Sequence, residues 1–314
     1  MRLSLVVPCY NEQDNVEKFY QETVRAFADV DFSYEFVFVN DGSKDNTLKA
    51  LKKLYDEHKE SNIKVIGFSR NFGKEAAMYA GLSNATGEYV SIIDADLQQR
   101  PEVVLEMVKI LDENDEYDSV AAYQEERKEN KLMIAMKNAF YKVINKVTEV
   151  DFVSGASDFR TFRRSMVDAI LQMTEYHRFS KGIFSWVGFN TKFIPYEVQE
   201  RESGVSNWNF TKLLKYAIEG IISFTTAPLK FASGIGALMF FASIIYILVV
   251  IVKHFIFGAD VAGYDSIVAL ILLFGGIQLL CVGILGEYLA KIYVQVKNRP
   301  VYIISKLYTY DEKK

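Results

Sequence analysis

The sequence predicts an α/β catalytic domain on a mostly parallel, Rossmann-like sheet, followed by two transmembrane helices. Three observations carry that reading. Up to residue 122, apolar strand-like runs alternate with helix-like segments, the pattern of a parallel sheet covered on both faces. A polar cluster follows each of the first four runs, at the strand ends where open sheets bind ligands. Further on, Phe231–Val252 and Ser266–Gly286 run 22 and 21 residues without a charge, each long enough to cross a bilayer as a helix.

The elements follow in order. Leu3–Val7 is apolar and β-prone. Residues 15–27 show helical spacing, with Val16, Phe19, Tyr20, Val24 and Phe27 on one side. Phe36–Val39 is a second buried strand, and residues 46–55 form a helix with Leu48, Leu51 and Leu54 inward. Val65–Phe68 is a third strand, with a helix over 74–82. Val90–Ile93 is a fourth, with a helix over 102–111, and Ser119–Ala122 is a fifth. Residues 131–147 read as an amphipathic helix. Residues 208–222 read as another, lying along the membrane surface or packed against protein. The expected organisation is a catalytic domain over 1–207, an amphipathic helix and linker over 208–230, two spans within 231–289 and a tail over 290–314.

The chain has 314 residues, half of them apolar, a slightly positive mean hydropathy and a net charge of −4. That charge argues against general nucleic-acid binding. Arg2 is followed by only a short apolar run before Pro8, so no secretory signal is expected there. Lys212, Lys215 and Lys230 precede the first span, and Lys291, Lys297 and Arg299 follow the second. The connecting loop carries Lys253 and His254 but also Asp260 and Asp265. The positive-inside rule therefore puts both termini in the cytoplasm. Cys9 and Cys281 suggest neither a disulfide nor a zinc site.

The polar clusters hold the chemistry. They are Pro8–Glu12, Asn40–Asp45, Ser69–Lys74 and Asp94–Gln98. In an extended chain residues two apart point the same way, so Asp94, Asp96 and Gln98 are expected to converge. Their oxygens suit a hard cation such as Mg²⁺ or Mn²⁺. The plain alternative is a turn whose acid caps the helix that begins at Pro101. Asp41-Gly42 is likewise good turn chemistry, and Asp45 suits a cap. Further on stand Ser157-Asp158-Phe159-Arg160, the basic cluster His177–Lys181 and the polar loop Arg201–Ser206.

These segments, with Phe184-Ser185-Trp186-Val187-Gly188 and Lys297-Asn298-Arg299-Pro300-x-Tyr302, match a family in order along nearly the whole chain. The chain resembles the family 2 glycosyltransferases of GT-A fold. Within them it is similar to the polyprenyl-phosphate sugar transferases, such as bactoprenol glucosyltransferases and dolichol-phosphate mannose synthases. The resemblance implies a nucleotide-sugar donor, with UDP-glucose the first guess. It also implies a polyprenyl (undecaprenyl) phosphate acceptor and membrane lipid around the spans of a bacterial plasma-membrane protein. It assigns Pro8, Tyr10, Glu12, Asp41, Ser43, Lys74 and Asp94 to the donor, and Asp94, Asp96 and Gln98 to Mg²⁺ or Mn²⁺. Asp158 and Asp96 become the catalytic acids. Arg127, Arg160, Arg178, Lys181, Arg201 and Ser206 meet phosphate. Family members often carry Lys after that serine, where this chain has Asn207. A homo-oligomer, a downstream flippase and a second glycosyltransferase belong to the same expectation.

The implied reaction is attack of a lipid phosphate on the anomeric carbon, with inversion. That phosphate is already largely ionised near neutral pH, its second pKa being about 6. Strong base catalysis by Asp158 is therefore less needed than charge compensation, which arginine and lysine supply. Two alternatives stand beside this reading. One is a transferase acting on a polysaccharide or another lipid. The other is an inactive nucleotide-sugar-binding scaffold.

Overall fold

The computed structural model describes residues 1–124, 156–196, 225–257 and 263–310. The expected helices over 131–147 and 208–222 lie outside them, as do Arg127, Arg201, Ser206 and Asn207. The chain divides into two units, Met1–Leu214 with Arg299–Lys314, and Lys215–Asn298.

In the first unit the alternation becomes β1 (Leu3–Cys9), α1 (Val16–Ala26), β2 (Tyr34–Asn40), α2 (Thr47–Glu57), β3 (Ile63–Phe68), α3 (Lys74–Asn84), β4 (Tyr89–Ile92), α4 (Pro101–Glu113) and β5 (Ser119–Gln124). Then come β6 (Ala156–Arg163), α5 (Arg164–Leu171), α6 (Ser180–Trp186), β7 (Thr191–Tyr196) and β8 (Ile304–Tyr308). The eight strands form one sheet in the order β7-β5-β6-β4-β1-β2-β3-β8. β1 pairs in parallel with β2 and β4, and β2 with β3. The sheet is less uniform than the alternation implied. Antiparallel β6 stands between β4 and β5, and β8 returns antiparallel along β3. Asp158 and Arg160, expected after a run of small residues, thus lie on a strand.

The core sits where the sheet meets α1, α2 and α4. It includes Leu5, Phe36, Phe38, Leu51, Leu54, Val104 and Leu111, each at most 1 % exposed. Burying each such side chain contributes about 1.5–3 kcal/mol. On α1 the stripe is Val16, Phe19, Tyr20 and Thr23, while Val24 is exposed. Thr23 fits inside because its hydroxyl donates to the Phe19 carbonyl at 2.7 Å. Helix α3 is buried through Ala76, Ala77, Met78, Ala80, Gly81 and Leu82. A Cβ at Gly81 would stand 2.1 Å from Val6 Cγ1, so glycine lets α3 lie directly on β1. That contact sets the N-terminus of α3, and Lys74 with it, beside the carboxyl ends of β1 and β4.

In the second unit α7 (Ala227–Phe257) and α8 (Tyr264–Val296) are 31 and 33 residues long. Two stretches, Ala227–Tyr246 and Leu273–Val296, are long and apolar enough to cross a bilayer. Their side chains face outward, with Phe231, Leu238 and Leu279 66–74 % exposed. The second stretch reaches beyond the expected end at Gly286 and takes in Glu287 and Lys291, because the helix runs on without a break.

Candidate active site

Four loops meet at the carboxyl edge of β1, β2, β3 and β4, and short bonds stitch them together. Asn11, at φ +58, donates its amide to Ser43 Oγ at 3.0 Å, and its Oδ1 accepts the Lys44 amide at 2.9 Å. Asp45 accepts the Thr47 amide at 3.0 Å and so closes the start of α2. Asp41, 3 % exposed, accepts the amides of Phe72 and Gly73 at 2.7 and 2.9 Å. Burial pushes the Asp41 pKa up, against the pull of those two amides. Gly42 makes the approach sterically open: its φ is +59, and a Cβ there would lie 2.2 Å from the Arg70 carbonyl carbon.

Between these loops lies a cavity of about 290 Å³. Of the expected donor residues, Pro8, Tyr10, Glu12, Asp41, Lys74 and Asp94 line it, as does Asp96. Ser43 is not part of the lining; its hydroxyl is spent on Asn11. The Asp41 carboxylate is likewise engaged with loop amides, and Glu12 Oε2 accepts Asn15 Nδ2 at 2.6 Å. Cys9 also lines the cavity, buried and neutral, since burial pushes its thiol well up.

Lys74 ties the cavity to β6. Its ammonium stands 2.7 Å from Asp94 Oδ1 and 3.5 Å from Asp158 Oδ2. Lys181 and Arg160 complete the surroundings of Asp158. Burial opposes ionisation of this acid, but Lys74, Lys181 and Arg160 together hold its pKa below the usual range. Asp158 is therefore an anion at neutral pH and a weak base. Arg160 is 4 % exposed, its guanidinium 4.4 Å from the Phe184 ring centre, with Nη2 donating to the Ser157 carbonyl at 3.1 Å. Its Nε has no hydrogen-bond partner, and burial pulls its pKa down to about 10. Arg178 is turned elsewhere: it donates to the Met173 carbonyl and lies 4.2 Å over the Tyr79 ring.

The metal loop departs from its expected geometry. β4 ends at Ile92, and Leu97 has φ +59. The two-residue alternation therefore does not extend to Gln98. Gln98 instead gives its amide to Asp96 Oδ1 at 3.2 Å. The residue that holds Asp94 is Gln99, 6 % exposed. Its Oε1 accepts the Asp94 amide at 2.9 Å and its Nε2 donates to Asp94 Oδ2 at 3.0 Å. Nothing in the pair Gln98-Gln99 distinguishes the two by type; the backbone turn at Leu97 does. Among the described residues no group of three His, Cys, Asp or Glu side chains forms a metal cluster. The donor set still fits a hard divalent cation. Asp94 and Asp96 face one cavity from one loop, and Asp94 already binds a cation in the Lys74 ammonium, whereas Gln98 is not part of the cavity lining.

Comparison with known proteins places the chain in a family. Residues 4–171 match the model of glycosyl transferase family 2, and residues 227–292 match the GtrB C-terminal hairpin. The chain is 40 % identical over 308 residues to the SfII prophage-derived bactoprenol glucosyl transferase of Shigella flexneri, covering 98 % of both chains. It is 38 % identical over 309 residues to the prophage bactoprenol glucosyl transferase homolog of Escherichia coli strain K12, covering 98 % of this chain and 99 % of that one. Among solved structures it is similar to glucosyl-3-phosphoglycerate synthase from Mycobacterium tuberculosis in complex with Mn²⁺ and uridine-diphosphate-glucose. That likeness has a TM-score of 0.45 and 16 % identity, over 69 % of this chain and 75 % of that one.

Proposed function

The chain belongs to glycosyl transferase family 2, with a sheet of GT-A type, and from that premise we propose that it moves a hexose from a nucleotide sugar to polyprenyl phosphate. Glucose is the first candidate, because its bactoprenol relatives are glucosyl transferases by name, and UDP-glucose is the donor that the family resemblance implies. The observation that carries the reading is the Lys74 bridge from Asp94 in the donor cavity to Asp158, which Lys181 and Arg160 also surround.

In the proposed reaction a phosphate oxygen of the lipid attacks the anomeric carbon as the bond from that carbon to the diphosphate breaks. The configuration inverts and a nucleoside diphosphate leaves. Pro8, Tyr10 and Glu12 enclose the nucleotide, and Lys74 offsets charge on the departing diphosphate. Asp94 and Asp96 would hold Mg²⁺ or Mn²⁺, which supplies Lewis-acid stabilisation of that leaving group. Lys181 and Arg160 offset the repulsion between the two anionic substrates. Asp158 keeps these cations in place and orients the sugar. Two spans anchor the catalytic domain on the cytoplasmic face of a bacterial plasma membrane, where a lipid phosphate sits. A lipid-linked sugar made on that face calls for a flippase and a second transferase to use it.

The test is incubation of the purified full chain with a panel of nucleotide sugars and undecaprenyl phosphate, with products resolved by mass spectrometry. Lipid-linked monosaccharide supports the proposal. A polymer supports a polysaccharide acceptor, and donor binding with no product supports a scaffold. Asp96→Ala is expected to remove nearly all turnover, and full activity in excess chelator refutes the metal-dependent step.

A further inference from the structure

Glu75 opens α3 next to Lys74, and no step above uses it. Its carboxylate accepts two bonds from one residue, the Ser180 amide at 2.9 Å and the Ser180 hydroxyl. Ser180 is 3 % exposed and begins α6. Two cationic residues flank it. Lys181, the next residue, acts on Asp158; Arg178 stacks on Tyr79, four residues along α3 from Glu75. The Tyr79 hydroxyl donates to the Leu171 carbonyl at 3.3 Å, a second tie between α3 and the segment leading to α6. Phe184, further along α6, is the ring over which Arg160 lies.

We propose that Glu75 is a positioning residue for the acceptor phosphate: by holding Ser180 against α3 it fixes where Lys181 and Phe184-backed Arg160 stand relative to Lys74 and Asp158. The proposal deepens the transfer reading above and rests on it. An acid in the first turn of a helix ordinarily needs no partner beyond the helix dipole; this one reaches across to a residue 105 positions away. Nor is an acid the easy choice for packing here. Burial and Asp158 on β6 push the Glu75 pKa up to about 7, against the Ser180 bonds and Arg178. Lys181 also faces it, and Lys74 precedes it on α3. A hydrophobic residue would fill the space without that cost but would leave the Ser180 amide unpaired.

The experiment uses the full-length protein in nanodiscs, with KM measured separately for UDP-glucose and undecaprenyl phosphate. Glu75→Ala is expected to raise the acceptor KM about tenfold or more while the donor KM stays within about twofold, since a charge-assisted bond is lost on the acceptor side alone. Glu75→Gln keeps an acceptor oxygen for the Ser180 amide and is expected to recover most of the loss. Amide exchange in a peptide spanning residues 178–183 should quicken in Glu75→Ala and return toward wild type in Glu75→Gln. Should Glu75→Ala fail to fold, Ser180→Ala removes the hydroxyl bond and is expected to shift the acceptor KM the same way by less. An active wild type whose acceptor KM is unmoved in Glu75→Ala, or whose two KM values rise together, overturns the proposal, as does unchanged exchange. A wild type that makes no lipid-linked sugar from any donor refutes instead the transfer reading on which it stands.

Discussion

Replacing Asp41 by asparagine separates a loop clamp from a donor ligand. In the structure both carboxylate oxygens are engaged, one by the Phe72 amide at 2.7 Å and one by the Gly73 amide at 2.9 Å. Asparagine keeps one acceptor but turns an NH₂ group toward the other amide, leaving two donors face to face. Losing one charge-assisted bond and weakening the second costs about 2–4 kcal/mol. Burial of the ionised acid, which holds its pKa above the ordinary value, offsets part of this and leaves about 2 kcal/mol. For a unit of this size that corresponds to a fall in melting temperature of about 4–8 °C. Differential scanning fluorimetry of the full chain reads the shift, and UDP titration reads donor affinity. The loop amides belong to the segment that carries Lys74, so donor affinity should weaken along with stability. An unchanged melting temperature with weakened UDP binding would refute the clamp and return Asp41 to the role of a direct donor ligand.

Three further outcomes follow from the same geometry. Gln99→Leu removes both bonds to Asp94, and affinity for Mn²⁺, titrated by electron paramagnetic resonance without substrate, should fall about 10–100-fold; unchanged affinity rules out the buttressing role. Glu75 titrates from an ordinary 4.5 to about 7 in the folded chain, so between those values the folded state holds more protons and stability falls as pH rises. Glu75→Gln should therefore gain up to about 3 kcal/mol over wild type at pH 8 and almost none at pH 4, measured by urea unfolding at both pH values. Tyr302 stacks on Phe68 at 5.0 Å, and Phe68 meets Phe72 edge-on at 5.7 Å; Tyr302→Ala should cost about 2–3 kcal/mol, while Tyr302→Phe, which keeps the ring and loses only the hydroxyl's bonds to Ser83 and Asn84, should cost about 0.5–1.5 kcal/mol.

Much of the sheet was legible because buried parallel strands read as apolar runs between amphipathic helices. β1 to β5 and α1 to α4 each fall close to where the pattern puts them. β6 and β8 were not legible. Ala156–Arg163 carries Ser157, Asp158, Arg160 and Arg163, a polar sequence that becomes a strand because β4 and β5 offer it edges to pair with. Ile304–Tyr308 is largely exposed, and its strand state comes from pairing with β3, some 240 residues away in sequence. In the site, the loops that line the cavity could be named in advance because strand ends in such sheets converge, and the family resemblance picked out Pro8, Tyr10, Glu12, Asp41, Lys74, Asp94 and Asp96 within them. Val24 was misplaced because a threonine that bonds to its own helix can stand in for an apolar residue.

The sequence by itself determined the α/β alternation, the loops that carry the chemistry and two apolar stretches long enough to cross a bilayer. Those properties are local: periodicity, turn residues and the absence of charge are written in consecutive positions. The tertiary structure decided how the charges pair. Lys74 lies between Asp94 and Asp158, Gln99 rather than Gln98 holds Asp94, and Glu75 reaches Ser180. Each pairing depends on a backbone turn or a strand order that brings distant residues within about 3 Å, the range at which a hydrogen bond or ion pair forms. No pattern along the chain encodes that distance.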